Sequence, residues 1–414
     1  MIQFDSCRLP NGLRVINHYD ASTRMVAVNL LYDVGARDES PQLTGLAHLM
    51  EHLMFAGSAH VASYDGELQR AGGDSNAWTT NDVTNYYDVL PAQNVETAFW
   101  VESDRLMALS LTDHNVELQK SVVMEEFKQR CLNQPYGDVQ HLLHGAAYTT
   151  HPYRWPTIGL RLDDIAQVTT ADVNAFYESH YSVDRLVLCV SGNVTFERTA
   201  ELAQKWFGDL APRSTVARRL PVEPEQTQPR EVWAKRDVPQ NMIVRGYHTC
   251  ARTDGDYQAT DLLSDVLANG DSSRFRRNVL TQTDLFVDLD ASVLGSADPG
   301  MFYIRARLRD GVGWRQASDA IDAELSRLLT GGVTEAEVSK YANKFASNYL
   351  FENIGYAEKA VKLCQFELQS AAADAGTEPD RYFCLTPGDV ERVARSVLRP
   401  ENCTTLYYGP DAKE

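Results

Sequence analysis

Residues 211–230, APRSTVARRLPVEPEQTQPR, interrupt the chain close to its middle. The stretch is rich in proline and charge and has little apolar periodicity, so it reads as a linker. It divides the 414 residues into 1–212, a linker at 213–230, and 231–414. At roughly 100–200 residues per domain, each flank is long enough to bury its own core. The flanks also echo each other. Asp172-Val173 opens a helix-like run, and the strand RLVLCVSGN then ends at Gly192. Asp389-Val390 opens a second such run, and CTTLYYGP ends at Gly409, again 20 residues on. Linker and echo together favour two homologous domains.

Within each half, the hydrophobic periods alternate. Strand-like runs lie at 13–19, 26–34, 85–90 and 186–192, and helix-like runs at 44–56, 94–109, 113–130, 137–148 and 171–179. The mixture predicts an α+β fold in which helices pack on a sheet. The net charge of −18 and a pI near 5.0 leave no basic footprint for nucleic acid. No run of about 18 apolar residues predicts a membrane span. The N-terminal MIQFDSCRLPNG lacks a basic start and an apolar core, so no signal peptide is expected. The seven cysteines, at 7, 131, 189, 250, 364, 384 and 403, include no CxxC pair. They suit packed free thiols in a reducing compartment. The expected location is therefore the cytoplasm, or the periplasm if a leader was removed.

The chemistry concentrates in GLAHLMEHLMF, residues 45–55. With Thr44 as N-cap, a helix from Gly45 projects His48 and His52 from one face, four residues apart. Two imidazoles so placed can converge on one metal ion, with Glu51 beside them as a general base toward water. Leu46, Leu49 and Leu53 are left for the core. The rival reading is a core helix that merely buries two polar residues. A catalytic zinc site needs a third protein ligand. In DHNVELQKSVVMEEFKQR (113–130), Glu126 shares a helical face with Val122 and Gln119. Glu125 points about 100° away and suits solvent or an ion pair. Spacing favours Glu126 without deciding it.

The chain resembles the pitrilysin/insulysin family of zinc metallopeptidases with an inverted His-x-x-Glu-His motif, which includes the mitochondrial processing peptidase. Its size matches the short bacterial two-domain type. The resemblance is carried by LPNGLRVI (9–16), DVGARDE (33–39), TGLAHLMEHLMFAGS (44–58), GGDSNAWTTNDVTNYYDVLP (72–91), VVMEEF (122–127) and HPYRWPTIG (151–159). DSSRF (271–275) and DPGMFYI (298–304) match more loosely. The resemblance implies two homologous domains, each a mainly antiparallel sheet flanked by helices, forming half of a clamshell. It implies one zinc ion per chain on His48, His52 and Glu126, with Glu51 deprotonating the attacking water. The same site chemistry could also take other divalent ions. Asn76, Ala77 and Trp78 would form a sheet edge that pairs with an extended peptide substrate.

Two departures from the family pattern stand out. A supporting glutamate expected seven residues before the Glu ligand is Gln119 here. The second half of self-sufficient members carries an Arg and a Tyr that hold substrate and stabilise the transition state; the aligned positions are Leu280 and Val287. Neither can donate a hydrogen bond, and Tyr303 and Arg276 do not fit the spacing. The resemblance therefore implies a heterodimer, in which a homologous subunit without the zinc motif supplies the missing pair. The alternatives are a self-sufficient homodimer and a non-catalytic structural subunit; intact zinc-motif residues speak against the latter.

Overall fold

The computed structural model describes residues 2–213 and 217–412, so positions 214–216 of the expected linker lie outside the described residues. The fold is α+β. The first half builds a six-stranded sheet from β1 (Asp5–Arg8), β2 (Arg14–Tyr19), β3 (Met25–Tyr32), β4 (Asp74–Thr79), β5 (Thr84–Pro91) and β6 (Leu186–Gly192), in the order β1-β2-β6-β3-β5-β4. The second half builds a five-stranded sheet from β7 (Arg230–Lys235), β8 (Met242–His248), β9 (Phe286–Leu294), β10 (Met301–Leu308) and β11 (Cys403–Gly409), in the order β7-β11-β8-β10-β9. With β1 set aside, the two orders trace the same path. The one parallel pairing in each sheet also falls at the same place, β2 with β6 and β7 with β11.

The sequence echo has a local cause. Asp172 and Asp389 each complete a capping box, with Thr169 and Thr386, at the start of the helices Thr170–His180 and Pro387–Val397. Gly192 and Gly409 close the following strands at φ of +129° and +152°. A Cβ there would come within 2.4 Å of the Met25 carbonyl oxygen and 2.3 Å of Asn241 Oδ1. Both positions therefore require glycine.

The helices include α1 (Leu46–Leu53), α2 (Val95–Ala108), α3 (Asp113–Phe127), α4 (Val139–Ala147), α5 (Glu335–Glu352) and α6 (Tyr356–Gln369). The compact units do not follow the sequence halves. One comprises Met1–Lys128, Trp155–Leu220 and Leu350–Thr377; the other comprises Gln129–Arg154, Pro221–Tyr349 and Glu378–Glu414. Each sheet thus carries a helix from the opposite half of the chain. In the first unit α6 lies over β3 and β6, burying Ala360, Leu363 and Cys364 against Ile16, Ala27, Leu31, Val187 and Cys189. In the second, α4 lies over β7, β8 and β11, with Leu143 and Ala147 against Val244, Leu406 and Tyr408.

The described part of the linker is tied down rather than loose. Arg218 bonds Asp38 and Asp33 in the first unit. Glu223, in the second, accepts hydrogen bonds from the backbone N–H groups of Thr149, Thr150 and His151 at 2.7, 2.9 and 2.9 Å.

Two outcomes follow. A chain ending at residue 220 lacks α6 and leaves the apolar face of the first sheet open. It should bind a hydrophobic dye and show no cooperative unfolding transition, whereas in the full chain Leu363→Ala should cost about 2–5 kcal/mol by urea denaturation. Partial burial would raise the Glu223 carboxyl, but the hydrogen bonds from His151, Thr150 and Thr149 outweigh it and hold the group at about 2. Its unfolded value lies near 4.3. Its contribution is therefore full above that pH and is lost as pH falls toward 2. Denaturation midpoints of Glu223→Gln between pH 5 and 2 should decline less steeply than those of the parent.

Candidate metal centre

The helix α1 presents two faces. Leu46, Leu49, Met50 and Leu53 are buried in the core of the first unit, and His48, Glu51 and His52 occupy the remaining side. Its start differs from the sequence expectation. Gly45 is the N-cap, at φ +89°, and a Cβ there would lie 2.9 Å from the Ile158 carbonyl oxygen. Thr44 is buried and turned away, donating to Asp164 Oδ2 at 2.6 Å and accepting from Leu160 N at 2.7 Å. The helix N-terminus is served instead by the buried Glu39 carboxylate, which accepts from Gly45 N at 2.9 Å and Ala47 N at 2.8 Å. Its two oxygens satisfy orphan N–H groups at the helix start, and burial raises the Glu39 carboxyl well above its ordinary range.

The helix α3 packs against α1 and brings Glu126 to the two histidines. Glu126 Oε2 lies 3.6 Å from His48 Nε2 and 3.4 Å from His52 Nε2. One ligand atom from each of the three residues falls within 4.8 Å of the other two. The nitrogen–oxygen separations are too long for hydrogen bonds. They are close to the edge of about 3.4 Å expected of a tetrahedron built on zinc–ligand bonds of about 2.1 Å. His48 is buried, while the His52 and Glu126 side chains are 24% and 18% exposed, so an approach from solvent stays open. The donor set and its spacing fit a zinc ion with one position left over. Among the described residues this is the one such group.

Glu126 reaches its place differently from the expected core-facing stripe. The buried face of α3 is Val116, Lys120, Val123 and Phe127, whereas Val122 is 44% exposed. Glu126 therefore sits on the half-open flank. Glu125 is exposed and pairs with Lys128 at 2.5 Å, as expected of a solvated residue. Gln119 is half-buried on α3 and makes no hydrogen bond to the histidines or Glu126 among the described residues.

Thr79 is the residue that sequence spacing missed. Its Oγ1 donates to Glu51 Oε2 at 2.5 Å, fixing the carboxylate from the end of β4. The contact spans 28 residues and two elements, so no local pattern carried it. Asn76, Ala77 and Trp78 lie on the same strand, paired with Tyr87, Tyr86 and Asn85 of β5. The strand β4 is the sheet edge, with no strand on its other side among the described residues. The expected edge thus ends at the glutamate of the motif.

Behind β5 lies a buried charge cluster. Arg105 of α2 makes two bonds to Glu102, at 2.8 and 2.5 Å, and lies 4.3 Å from the ring centres of Tyr64 and Tyr86. Burial, reinforced by Glu102, raises the Asp88 carboxyl well above its ordinary range. In the second unit Leu280 packs against the core and Val287 is 41% exposed on β9. Tyr303 is engaged by His144 Nε2 at 2.7 Å, and Arg276 faces Asp271.

Competition with a chromophoric chelator should separate ligand from bystander. His52→Ala is expected to weaken zinc binding at least about a hundredfold, and Gln119→Ala to leave it within about twofold.

Comparison with known proteins places this architecture. Residues 14–160 match the family model described as insulinase (peptidase family M16), and residues 167–345 match that described as peptidase M16 inactive domain. A Helicobacter pylori protein named zinc protease PqqE is 27% identical over 412 residues, covering 98% of this chain and 93% of that protein. A probable mitochondrial-processing peptidase subunit beta of Arabidopsis thaliana is 26% identical over 418 residues, covering 97% of this chain and 77% of that protein. The crystal structure of a protease from Helicobacter pylori superposes with a TM-score of 0.92 at 26% identity, covering 99% of both chains. Two successive matches of one kind, an intact His-x-x-Glu-His helix and relatives matched almost end to end make this chain a member of the M16 peptidase family.

Proposed function

We propose that the chain is the zinc-bearing subunit of a metalloendopeptidase that hydrolyses peptide bonds in unfolded oligopeptides. The observation that carries this reading is the meeting of His48, His52 and Glu126 beside Glu51, at the end of an unpaired sheet edge. His48, His52 and Glu126 would hold zinc. When bound, zinc supplies a Lewis acid that polarises a peptide carbonyl and makes water easier to deprotonate. Glu51 takes the proton from water on its carboxylate and returns it to the leaving amine. Thr79 Oγ1 holds Glu51 in one rotamer and strengthens its orientation. The backbone N–H and C=O groups of Asn76, Ala77 and Trp78 pair with an extended substrate, which gives affinity with little side-chain selection. A folded protein offers few free strands to such an edge, which suits a closed chamber admitting only unfolded peptides.

The reading includes a partner. Leu280 and Val287 offer no donor for developing negative charge, and removal of one such donor typically costs about 10²–10³ in rate. A homologous subunit without the zinc motif would supply the Arg/Tyr pair, and the plant relative is itself named as one subunit of a peptidase. Among the described residues no disulfide joins any of the seven cysteines, which fits a reducing compartment, and no helix is long and apolar enough to cross a membrane.

The test is digestion of an unstructured peptide of a few tens of residues by the purified, zinc-loaded chain, read by mass spectrometry. Slow cleavage that rises at least about tenfold on adding the homologous subunit supports the division of labour; full activity alone makes the chain self-sufficient. In either case Glu51→Gln should lower kcat by about 10²–10⁴ with zinc content unchanged. Thr79→Val should lower it by about 10–100-fold. A zinc-loaded chain indifferent to Glu51→Gln would end the peptidase reading.

A further inference from the structure

The ladder between β4 and β5 decides which backbone groups of the open edge are free. Thr80 N donates to Val83 O at 2.9 Å, so these two residues close the hairpin as a hydrogen-bonded pair. From there the register runs without interruption, from Thr79 opposite Thr84 back to Asp74 opposite Val89. In an antiparallel ladder, bonded and non-bonded pairs alternate. Trp78 and Asn76 therefore turn their N–H and C=O groups inward, to Asn85 and Tyr87. Thr79, Ala77 and Ser75 turn theirs out to the open edge. The pairing proposed for Asn76, Ala77 and Trp78 thus narrows to the backbone of Ala77, two residues from the Thr79 that holds Glu51.

The outward N–H of Ala77 is already taken. The Asn76 side chain curls onto the edge, and its Oδ1 accepts from Ala77 N at 2.8 Å. Asn suits this role, because its short amide reaches neighbouring backbone N–H groups. The outward N–H groups of Ser75 and Thr79 have no such side-chain acceptor among the described residues. The cap therefore covers the central donor of the edge. Asn76 is exposed and its side chain makes no other bond among the described residues, so the amide can swing away. Bare N–H groups on a sheet edge otherwise invite pairing with any passing strand.

We propose that Asn76 is a specificity-determining residue of this edge, whose amide holds the Ala77 N–H until a substrate carbonyl in register displaces it. It rests on the reading of β4 as the substrate-pairing edge. The displacement exchanges one hydrogen bond for another, so a bound strand gains little from the Ala77 N–H itself. It must be held by the Ala77 C=O and by the outward groups of Ser75 and Thr79. An extended segment that engages all of Ser75–Thr79 overcomes the cap, and a contact at Ala77 alone does not. The edge thereby selects for a length of extended backbone, whatever side chains it carries.

The experiment uses the full-length, zinc-loaded Glu51→Gln chain, so that binding is read without turnover. A fluorescein-labelled decapeptide of Ala, Ser and Thr is titrated by anisotropy against this chain and against the same chain carrying Asn76→Ala or Asn76→Val. Neither replacement offers an acceptor, and Val keeps a residue that favours strands. The expected result is binding about threefold tighter in both variants. In the peptide-free chain, the Ala77 amide should exchange with deuterium about threefold faster once Asn76 is replaced, as read by nuclear magnetic resonance. Affinity that stays level or falls in both variants, or an Ala77 exchange rate that does not move, overturns the role of Asn76 and leaves the edge-strand reading standing. No binding to any of the three chains overturns the edge-strand reading, and the role of Asn76 with it.

Discussion

A helix of eight residues does not hold itself together in water, so the position of α1 is set wholly by what surrounds it. Three restraints act together. The Glu39 carboxylate takes two N–H groups at its start, Gly45 admits the tight entry past Ile158, and Leu46, Leu49 and Leu53 fill the core beneath. With the axis fixed, the four-residue spacing brings His48 and His52 onto one side, and α3 can bring Glu126 within 3.6 and 3.4 Å of them. A metal site tolerates errors of only a few tenths of an ångström in its ligands. The buried capping carboxylate is therefore part of the site, although it lies outside the ligand set.

The same helix is tied to the edge of the sheet. The Thr79–Glu51 hydrogen bond joins the end of β4 to the motif, so a peptide paired along β4 would run straight to the glutamate. The pleat then divides its side chains between two environments. One face meets α1 through Thr79, and the other meets α6 through Trp78.

The two sheets share one strand order, and each is covered on one face by a helix from the other half of the chain. The repeat itself was legible, because capping boxes and strand-ending glycines are local devices with fixed spacing: Thr169-Asp172 to Gly192, and Thr386-Asp389 to Gly409. The exchange of α4 and α6 was not legible. An apolar helical face reads the same whichever sheet covers it, and nothing in Leu363 or Cys364 says that they will meet Val187 and Cys189 rather than strands nearer in sequence.

The sequence by itself determined the His-x-x-Glu-His helix, the glutamates that could join it, the α+β alternation and the repeated half. Each of these depends on spacing within one element or on residue chemistry alone. Tertiary structure decided the rest. It chose Glu39 over Thr44 as the helix cap and brought Thr79 to Glu51. It set Glu126 on the half-open flank of α3 rather than on its buried stripe, and gave α6 to the sheet beside the metal centre. The physical reason is common to all four. Each contact joins groups far apart in the chain, and its partner is selected by burial and shape complementarity once the layers have packed, which no local period encodes.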